Sequence, residues 1–348
     1  MKLRNSLRVL AVQDLDQEAL GRAASGGAFS VLARPVIDAG GFVFGASMAD
    51  GGIVRHTVAR TYGELESLQG SCYVQSDMSN IYPAVADAVR SGALTMFVGT
   101  PCQCAAMISY LETKRIISSL EECDGLIICD LVCHGAPNGE LFRAHQSWLS
   151  RKVHADDGIH GFKFRSKRRG WGLYYYYYYY RKGKMHEVCE PGDYDPYYAA
   201  FLRGDIYREC CYSCPFAKSE RVSDFTIGDY WGIEQVHPEF YSKEGISLLM
   251  INTQKGQSYF EHQASLGCRH IESNLSLAVQ QNHNLNMPSR RPETRDEILR
   301  LIMRRRVDGN LDDLFDVDLK PKLSIKSLLK RYLPAGVYSF LKSLLKRR

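Results

Sequence analysis

Leu94-Thr95-Met96-Phe97-Val98-Gly99-Thr100-Pro101-Cys102-Gln103 carries an apolar run straight into a Gly-Thr-Pro turn. This is the pattern of a buried strand that stops where a helix begins. The arrangement recurs at Leu126 to Val132, followed by Cys133-His134-Gly135. Strands alternating with helices predict a mixed or largely parallel sheet. Cys102 and Cys133 would then both sit at carboxyl ends of strands, where open α/β sheets bind their ligands.

Working outward, Ser25-Gly26-Gly27 opens an apolar-periodic helix that ends at Gly40-Gly41. Strands are expected at Phe42 to Ala46 and Ile53 to Ala59, and helices over about Tyr82 to Ser91, from near Cys102, and over about Gly139 to Ser150. After residue 150 the pattern turns to strand-like pieces around Ile159 to Arg165 and Leu173 to Arg181. The expected fold is α/β, mixed α+β, with a mixed sheet flanked by helices, a Cys-rich second half and a basic helical tail. The expected parts are 1–150, 151–318 and 319–348. The unbroken tyrosines from Tyr174 to Tyr180 read as one strand with aromatics on both faces, since tyrosine favours strands and successive residues point oppositely. Lining for a ligand is the lesser reading.

Composition narrows the class. A chain of 348 residues, 45% hydrophobic, has material for one large domain or two ordinary ones. Eleven cysteines without a leader pattern point to a cytoplasmic protein with reduced thiols. No apolar run approaches the ~20 residues of a spanning helix, so the body is expected in solution. The formal charge of +5 hides an asymmetry: residues 320–348 hold nine Lys or Arg and no Asp or Glu, leaving 35 basic against 39 acidic residues in the body. Both halves of that tail, Ser324 to Arg331 and Phe340 to Arg348, read as short amphipathic helices. Such a segment suits peripheral contact with the inner face of the cell membrane, or a helix packed on its own domain or a partner. Arg165, Lys167, Arg168, Arg169, Arg181 and Lys182 flank the tyrosines, but the acidic body and the lack of a recognised motif argue against nucleic acid.

The chemistry concentrates in four cysteines. At Cys102 the helix's unpaired amides and dipole would favour a thiolate, which suits a nucleophile, a metal ligand or an anion site alike. The plain alternative is an inert cysteine at a helix cap. Cys133 is equally open, and His134 beside it would bond a cofactor or a neighbouring carbonyl. Cys211-Tyr212-Ser213-Cys214 is a hook that sets two sulfurs near one centre, as iron-sulfur and zinc sites both require. No thioredoxin-like βαβ pattern surrounds it. Then comes Ser223 to Gly232, an alternating strand and a turn carrying Asp229 and Trp231.

Taken in order, Ser-Gly-Gly at 25–27, Gly-Ser-Cys-Tyr-Val-Gln-Ser at 70–76, Gly-Thr-Pro-Cys-Gln at 99–103, Asp-Leu-Val-Cys-His-Gly at 130–135, Phe-Arg-Ser-Lys at 164–167, Cys-Tyr-Ser-Cys at 211–214 and Ser-Asp-Phe-Thr-Ile-Gly-Asp-Tyr-Trp-Gly at 223–232 resemble the beta subunits of coenzyme F420-reducing hydrogenases and related dehydrogenases. The resemblance runs from about Ser25 to about Phe260. It implies an oxidoreductase holding FAD and a [4Fe-4S] cluster in one subunit, with electrons passing between the flavin and a deazaflavin, ferredoxin or another carrier. It implies Cys102, Cys133, Cys211 and Cys214 as the cluster ligands. The flavin is placed against the Ser25, Gly26, Gly27 helix start, whose amides suit a pyrophosphate. Gly70, Ser71, Tyr73 and Gln75, Thr100 and Gln103, and His134, Asp229 and Trp231 are its further expected contacts.

Two departures from the family pattern matter. Relatives often carry an amino-terminal ferredoxin-like part that this chain does not show, so a separate electron-donor protein is expected. Position 72 holds Cys where relatives commonly have Lys, which removes a cation from the expected flavin loop. The basic tail resembles members found among surface-polysaccharide biosynthesis proteins. Two other function classes remain open: a non-enzymatic protein binding structural zinc through the same thiolates, and a membrane-associated assembly subunit with a degenerate redox site. Cys104, Cys123, Cys129, Cys189, Cys210 and Cys268 read as small core residues, and the Cys-Tyr-x-Cys match selects Cys211 over Cys210.

Overall fold

The computed structural model describes residues 2–321, so the expected basic tail lies, from residue 322 onward, outside the described residues. Eleven strands build two sheets: β1 (Arg8–Asp14), β2 (Phe42–Ala49), β3 (Ile53–Ala59), β4 (Thr95–Gly99), β5 (Leu126–Leu131), β6 (His160–Lys163), β7 (Tyr174–Arg181), β8 (Lys184–Pro191), β9 (Phe225–Asp229), β10 (Ser247–Ile251) and β11 (Cys268–Ser273). The larger sheet runs β11-β1-β10-β9-β5-β4-β2-β3. Its middle, β9-β5-β4-β2, is parallel, and both ends are antiparallel. This is the mixed sheet flanked by helices that the strand-helix alternation predicts.

Period-two burial makes the sheet the centre of three layers. In β4, Met96 and Val98 pack with the helix Ala28–Asp38 on one face, while Phe97 packs with the helices Ile81–Arg90 and Pro101–Thr113 on the other. Each such fully buried side chain contributes roughly 1.5–3 kcal/mol. The pattern change after residue 150 coincides with the second sheet, β6-β7-β8, after which β9, β10 and β11 return to the first. Tyr175 and Tyr177 of β7 are buried in an aromatic core with Phe162, Phe164 and Tyr197. On the opposite face Tyr176 donates to Glu187 at 2.6 Å and His160 stacks on Tyr178 at 5.3 Å.

The helix expected from Ser25 begins at Ala28, because Gly27 takes a left-handed φ of 83° and Gly26 is wedged between strands. A Cβ on Gly26 would lie 2.2 Å from the Val12 carbonyl oxygen and 2.3 Å from the Ser247 nitrogen.

Because β4, β5 and β9 are parallel neighbours, their carboxyl ends share one edge of the sheet. That edge carries Cys102 just past β4, Cys133 just past β5 and Asp229 at the end of β9. A hydrogen-bonded chain fixes the turn after β4. Gln103 Oε1 accepts from the Thr100 N–H at 3.0 Å, one half of a capping box, and from the Thr100 hydroxyl at 3.0 Å. Gln103 Nε2 donates to Ser76 Oγ at 2.8 Å, Ser76 donates to His56 Nδ1 at 2.9 Å, and His56 Nε2 donates to the Val98 carbonyl at 2.9 Å. A carbonyl only accepts, so Nε2 carries a proton, and with the ring kept neutral by burial Nδ1 is left to accept from Ser76.

Burial holds the His56 pKa down at about 4, against an ordinary 6.5. The unfolded chain therefore takes up this proton first as pH falls. The contribution of His56 to stability is complete above about pH 6.5 and shrinks toward pH 4, by up to about 3 kcal/mol. Denaturant midpoints measured between about pH 7 and pH 4.5 are expected to fall more steeply for the parent than for His56→Gln. Equal slopes would show that His56 is not the cause.

Candidate functional site

The four cysteines arrive from three segments. Cys102 is the second residue of the helix Pro101–Thr113, Cys133 lies two residues past the end of β5, and Cys211 and Cys214 lie on and just after the short turn Glu209–Ser213. Arg221 fastens these segments together. Its buried guanidinium donates to Asp130 Oδ1 at 2.8 Å and to the Leu131 carbonyl at 3.0 Å, both on β5. It also donates to the carbonyls of Phe216 at 3.1 Å and Lys218 at 3.0 Å, on the loop after Cys214. Its Nε reaches Thr226 Oγ1 at 3.1 Å. A second tie runs from the Arg208 N–H to the Ala136 carbonyl at 3.1 Å and from the Cys211 N–H to the Arg208 carbonyl at 2.9 Å.

Cys102, Cys133, Cys211 and Cys214 thereby border one small cavity of about 30 Å³. Burial first, then the neighbouring Cys102, Cys211 and Cys214 sulfurs, push the Cys133 thiol up to about 12. Among the described residues no three His, Cys, Asp or Glu side chains draw together as they would around a single ion. The four thiols surround a space instead. Arg208 and Arg221 border the same cavity, and Arg208 Nε is buried without a hydrogen-bond partner among the described residues. An orphaned buried donor costs about 1–3 kcal/mol, and beside four thiols it fits an anionic group such as a thiolate-ligated cluster.

A larger cavity of about 440 Å³ adjoins the first, within the range of small-molecule sites. Thr100 and the segment Cys133 to Ala136 border both. The partition is close-fitting: Gly135 has a φ of +142°, and a Cβ there would come within 2.5 Å of the Tyr207 ring. Ser289 braces it by donating to the His134 carbonyl at 2.6 Å.

Of the residues expected around a flavin, Ser25, Gly27, Gly70, Ser71, Tyr73, Gln75, Thr100, Gln103, His134, Asp229 and Trp231 line the larger cavity. Gly26 is not among its lining residues; its glycine is demanded by the close packing of Val12 and Ser247. None of Tyr174 to Tyr180 lines the cavity. Ser25 is tethered, its hydroxyl 2.8 Å from that of Ser247. Asp229 is engaged on both oxygens, with Arg165 Nη1 and Nη2 each at 2.7 Å and Trp171 Nε1 at 2.8 Å. The Trp171 and Trp231 rings stack at 4.9 Å.

Arg165 is thus not simply one of the cations flanking the tyrosines. It is a buried anchor that also donates to Tyr73 Oη at 3.1 Å and to the Ala24 carbonyl at 2.9 Å. Arg165 and Asp229 are the Arg, Lys, Asp or Glu side chains lining this cavity among the described residues, and they neutralise each other. Cys72 lines it too, its thiol pushed up to about 12 by burial, so it contributes no charge. Burial also lowers His134, helped by the adjacent His283. Cys104, Cys129 and Cys268 are core residues, whereas Cys210 is exposed, which corrects the expectation of a core role; Cys211 borders the thiol cavity. His56, Arg208, Arg221, Tyr207 and His283 are site residues not singled out by the sequence motifs, and Ser76, which closes the motif at 70–76, has no expected role there.

Residues 93–273 match a family of known proteins, the C-terminal part of the coenzyme F420 hydrogenase/dehydrogenase beta subunit. A chain in a xenon-derivatised structure of the F420-reducing [NiFe] hydrogenase complex from Methanosarcina barkeri is similar at 16% identity, over 83% of this chain and 97% of that one, with a TM-score of 0.49. Among curated proteins no match is found. No helix among the described residues is long and apolar enough to cross a membrane. The family match spans more than half of the sequence, and the chain belongs to the coenzyme F420 hydrogenase/dehydrogenase beta-subunit family, whose description points to an oxidoreductase subunit.

Proposed function

We propose that this chain is an electron-transferring oxidoreductase subunit that holds a [4Fe-4S] cluster on Cys102, Cys133, Cys211 and Cys214 and FAD in the adjoining cavity. The single observation that carries this reading is the shared wall: Thr100 and the segment Cys133 to Ala136 border both spaces, so two redox groups would be separated by these few residues. A flavin exchanges electrons singly with a cluster and in pairs with a hydride carrier, which is the chemistry this pairing would supply.

The chain's own residues set the conditions. Tyr73, Phe201, Tyr207 and Trp231 give the larger cavity an aromatic lining. The Arg165–Asp229 pair holds Tyr73 and Trp171 in place while presenting no net charge, which suits a neutral ring system. Thr100 Oγ1 lies 3.2 Å from Cys102 Sγ, so its one hydroxyl proton, on turning from Gln103 Oε1, would donate to that sulfur as a thiolate, and hydrogen bonds to ligand sulfurs tune cluster potential. A separate ferredoxin-like donor or a deazaflavin would be the redox partner. The basic composition of residues 320–348 suits peripheral contact with an anionic membrane surface, and a role in surface-polysaccharide biosynthesis rests on the resemblance of that tail alone.

Protein purified without oxygen is expected to contain iron, acid-labile sulfide and flavin, with the broad visible absorption of a cluster. Stoichiometric zinc with no iron would replace this reading by the structural-zinc one. Alanine at Cys102, Cys133, Cys211 or Cys214 is expected to abolish iron binding, and Cys210→Ala to retain it; iron lost from Cys210→Ala and kept in Cys211→Ala would move the ligand by one position. Gly135→Ala forces a methyl against Tyr207 at a cost of order 1–3 kcal/mol, and is expected to diminish retention of both cofactors. Parent-level iron and flavin in that variant would deny the shared wall its role.

A further inference from the structure

The wall of the thiol cavity contains two guanidinium groups in different electrostatic situations. Arg221 is matched: Asp130 Oδ1 lies 2.8 Å from its Nη2, and its remaining donors reach Thr226 and the carbonyls of Leu131, Phe216 and Lys218. Arg208 is not matched. Among the described residues its Nε is buried without a partner, and no carboxylate pairs with it. Its backbone is held firmly, with the N–H on the Ala136 carbonyl at 3.1 Å and the carbonyl on the Cys211 N–H at 2.9 Å. The side chain therefore springs from a fixed point between the wall segment and the cysteine hook. It borders the same small cavity as Cys211 and Cys214, which sets the cation beside the hook.

We infer that Arg208 supplies the uncompensated positive charge that faces the anionic centre held by the four thiolates, and so raises the reduction potential of that centre. This rests on the cluster reading above. A thiolate-ligated iron-sulfur cluster is anionic, and one-electron reduction adds a further negative charge. A fixed cation beside it stabilises the reduced state more than the oxidised one. Arg221, with Asp130 against it, contributes little net charge and acts instead as a clamp. Arg208 is accordingly a positioning residue for charge rather than a ligand, and its replacement should alter potential more than cluster content.

The test is a redox titration of the anaerobically prepared full chain, followed by electron paramagnetic resonance, with iron measured on the same samples for the parent, Arg208→Lys and Arg208→Gln. At the effective dielectric of protein sites, loss of one adjacent charge should shift the one-electron equilibrium about tenfold toward the oxidised form, a fall in potential of about 59 mV. Arg208→Gln is expected to keep its iron and show this fall, and Arg208→Lys to stay near the parent. Unchanged potential in iron-loaded Arg208→Gln would overturn the assignment of Arg208 while leaving the cluster intact. Iron loss in both variants would also overturn it, by making the side chain's shape the requirement. Iron loss in Arg208→Gln alone, with Arg208→Lys loaded and near the parent potential, would overturn the assignment to potential by making the charge a requirement for holding the cluster. A parent protein without iron would overturn the cluster reading itself.

Discussion

The site depends on one buried guanidinium. Arg221 uses every N–H it has: two on the loop after Cys214, two on the end of β5, and Nε on Thr226 of β9. No other side chain could do this, because a lysine offers three donors from a point and an arginine five from a rigid plane. The clamp joins a hook of two cysteines to a strand edge from which it is separated by about eighty residues of sequence, an interval that includes the whole second sheet. Burying that charge is tolerable only because Asp130 lies against it. One of the Asp130 oxygens, Oδ2, has no partner among the described residues, so the pair is held for its geometry at some expense in stability.

Around this clamp the two cavities divide the electrostatics. The larger one is neutral: Arg165 and Asp229 cancel, Cys72 remains a thiol, and His56 is kept uncharged by burial. The smaller one is polarised, with four thiols facing an unmatched cation at Arg208. A neutral wall suits a conjugated ring, whereas a cationic wall suits a centre whose ligands are thiolates. The thin partition of Thr100 and Cys133 to Ala136 separates these environments without separating them far. Its thinness has a structural cause, since Gly135 adopts a backbone angle and a closeness to Tyr207 that a side chain would forbid.

Much of this is legible in the residues. Apolar runs ending in Gly-Thr-Pro-Cys and Val-Cys-His-Gly place two thiols at strand ends, and parallel pairing of β4 with β5 brings those ends together. The loop Gly70 to Gln75 and the turn carrying Asp229 and Trp231 do line the larger cavity. Other features escape because they are made by tertiary contacts. Gly26 looks like a ligand glycine, yet its constraint comes from strands β1 and β10, whose runs Val9–Val12 and Leu248–Ile251 do not by themselves distinguish a strand from a buried helix segment. Arg165 falls inside the Phe-Arg-Ser-Lys motif and Arg168 and Arg169 do not, but nothing local says that the fold buries it against Asp229. Arg208 and Arg221 offer a faint signal, cations close to a cysteine hook, but nothing local says that one is paired and the other is not.

The central claim is spatial: three distant segments bring four sulfurs around one inorganic centre. Anomalous scattering at the iron edge, from crystals grown without oxygen, tests it most directly. The account predicts one compact iron site bounded by Cys102, Cys133, Cys211 and Cys214, with Cys210 turned away and the Arg208 guanidinium alongside. Iron located elsewhere, or these four sulfurs too far apart to share a centre, would contradict it.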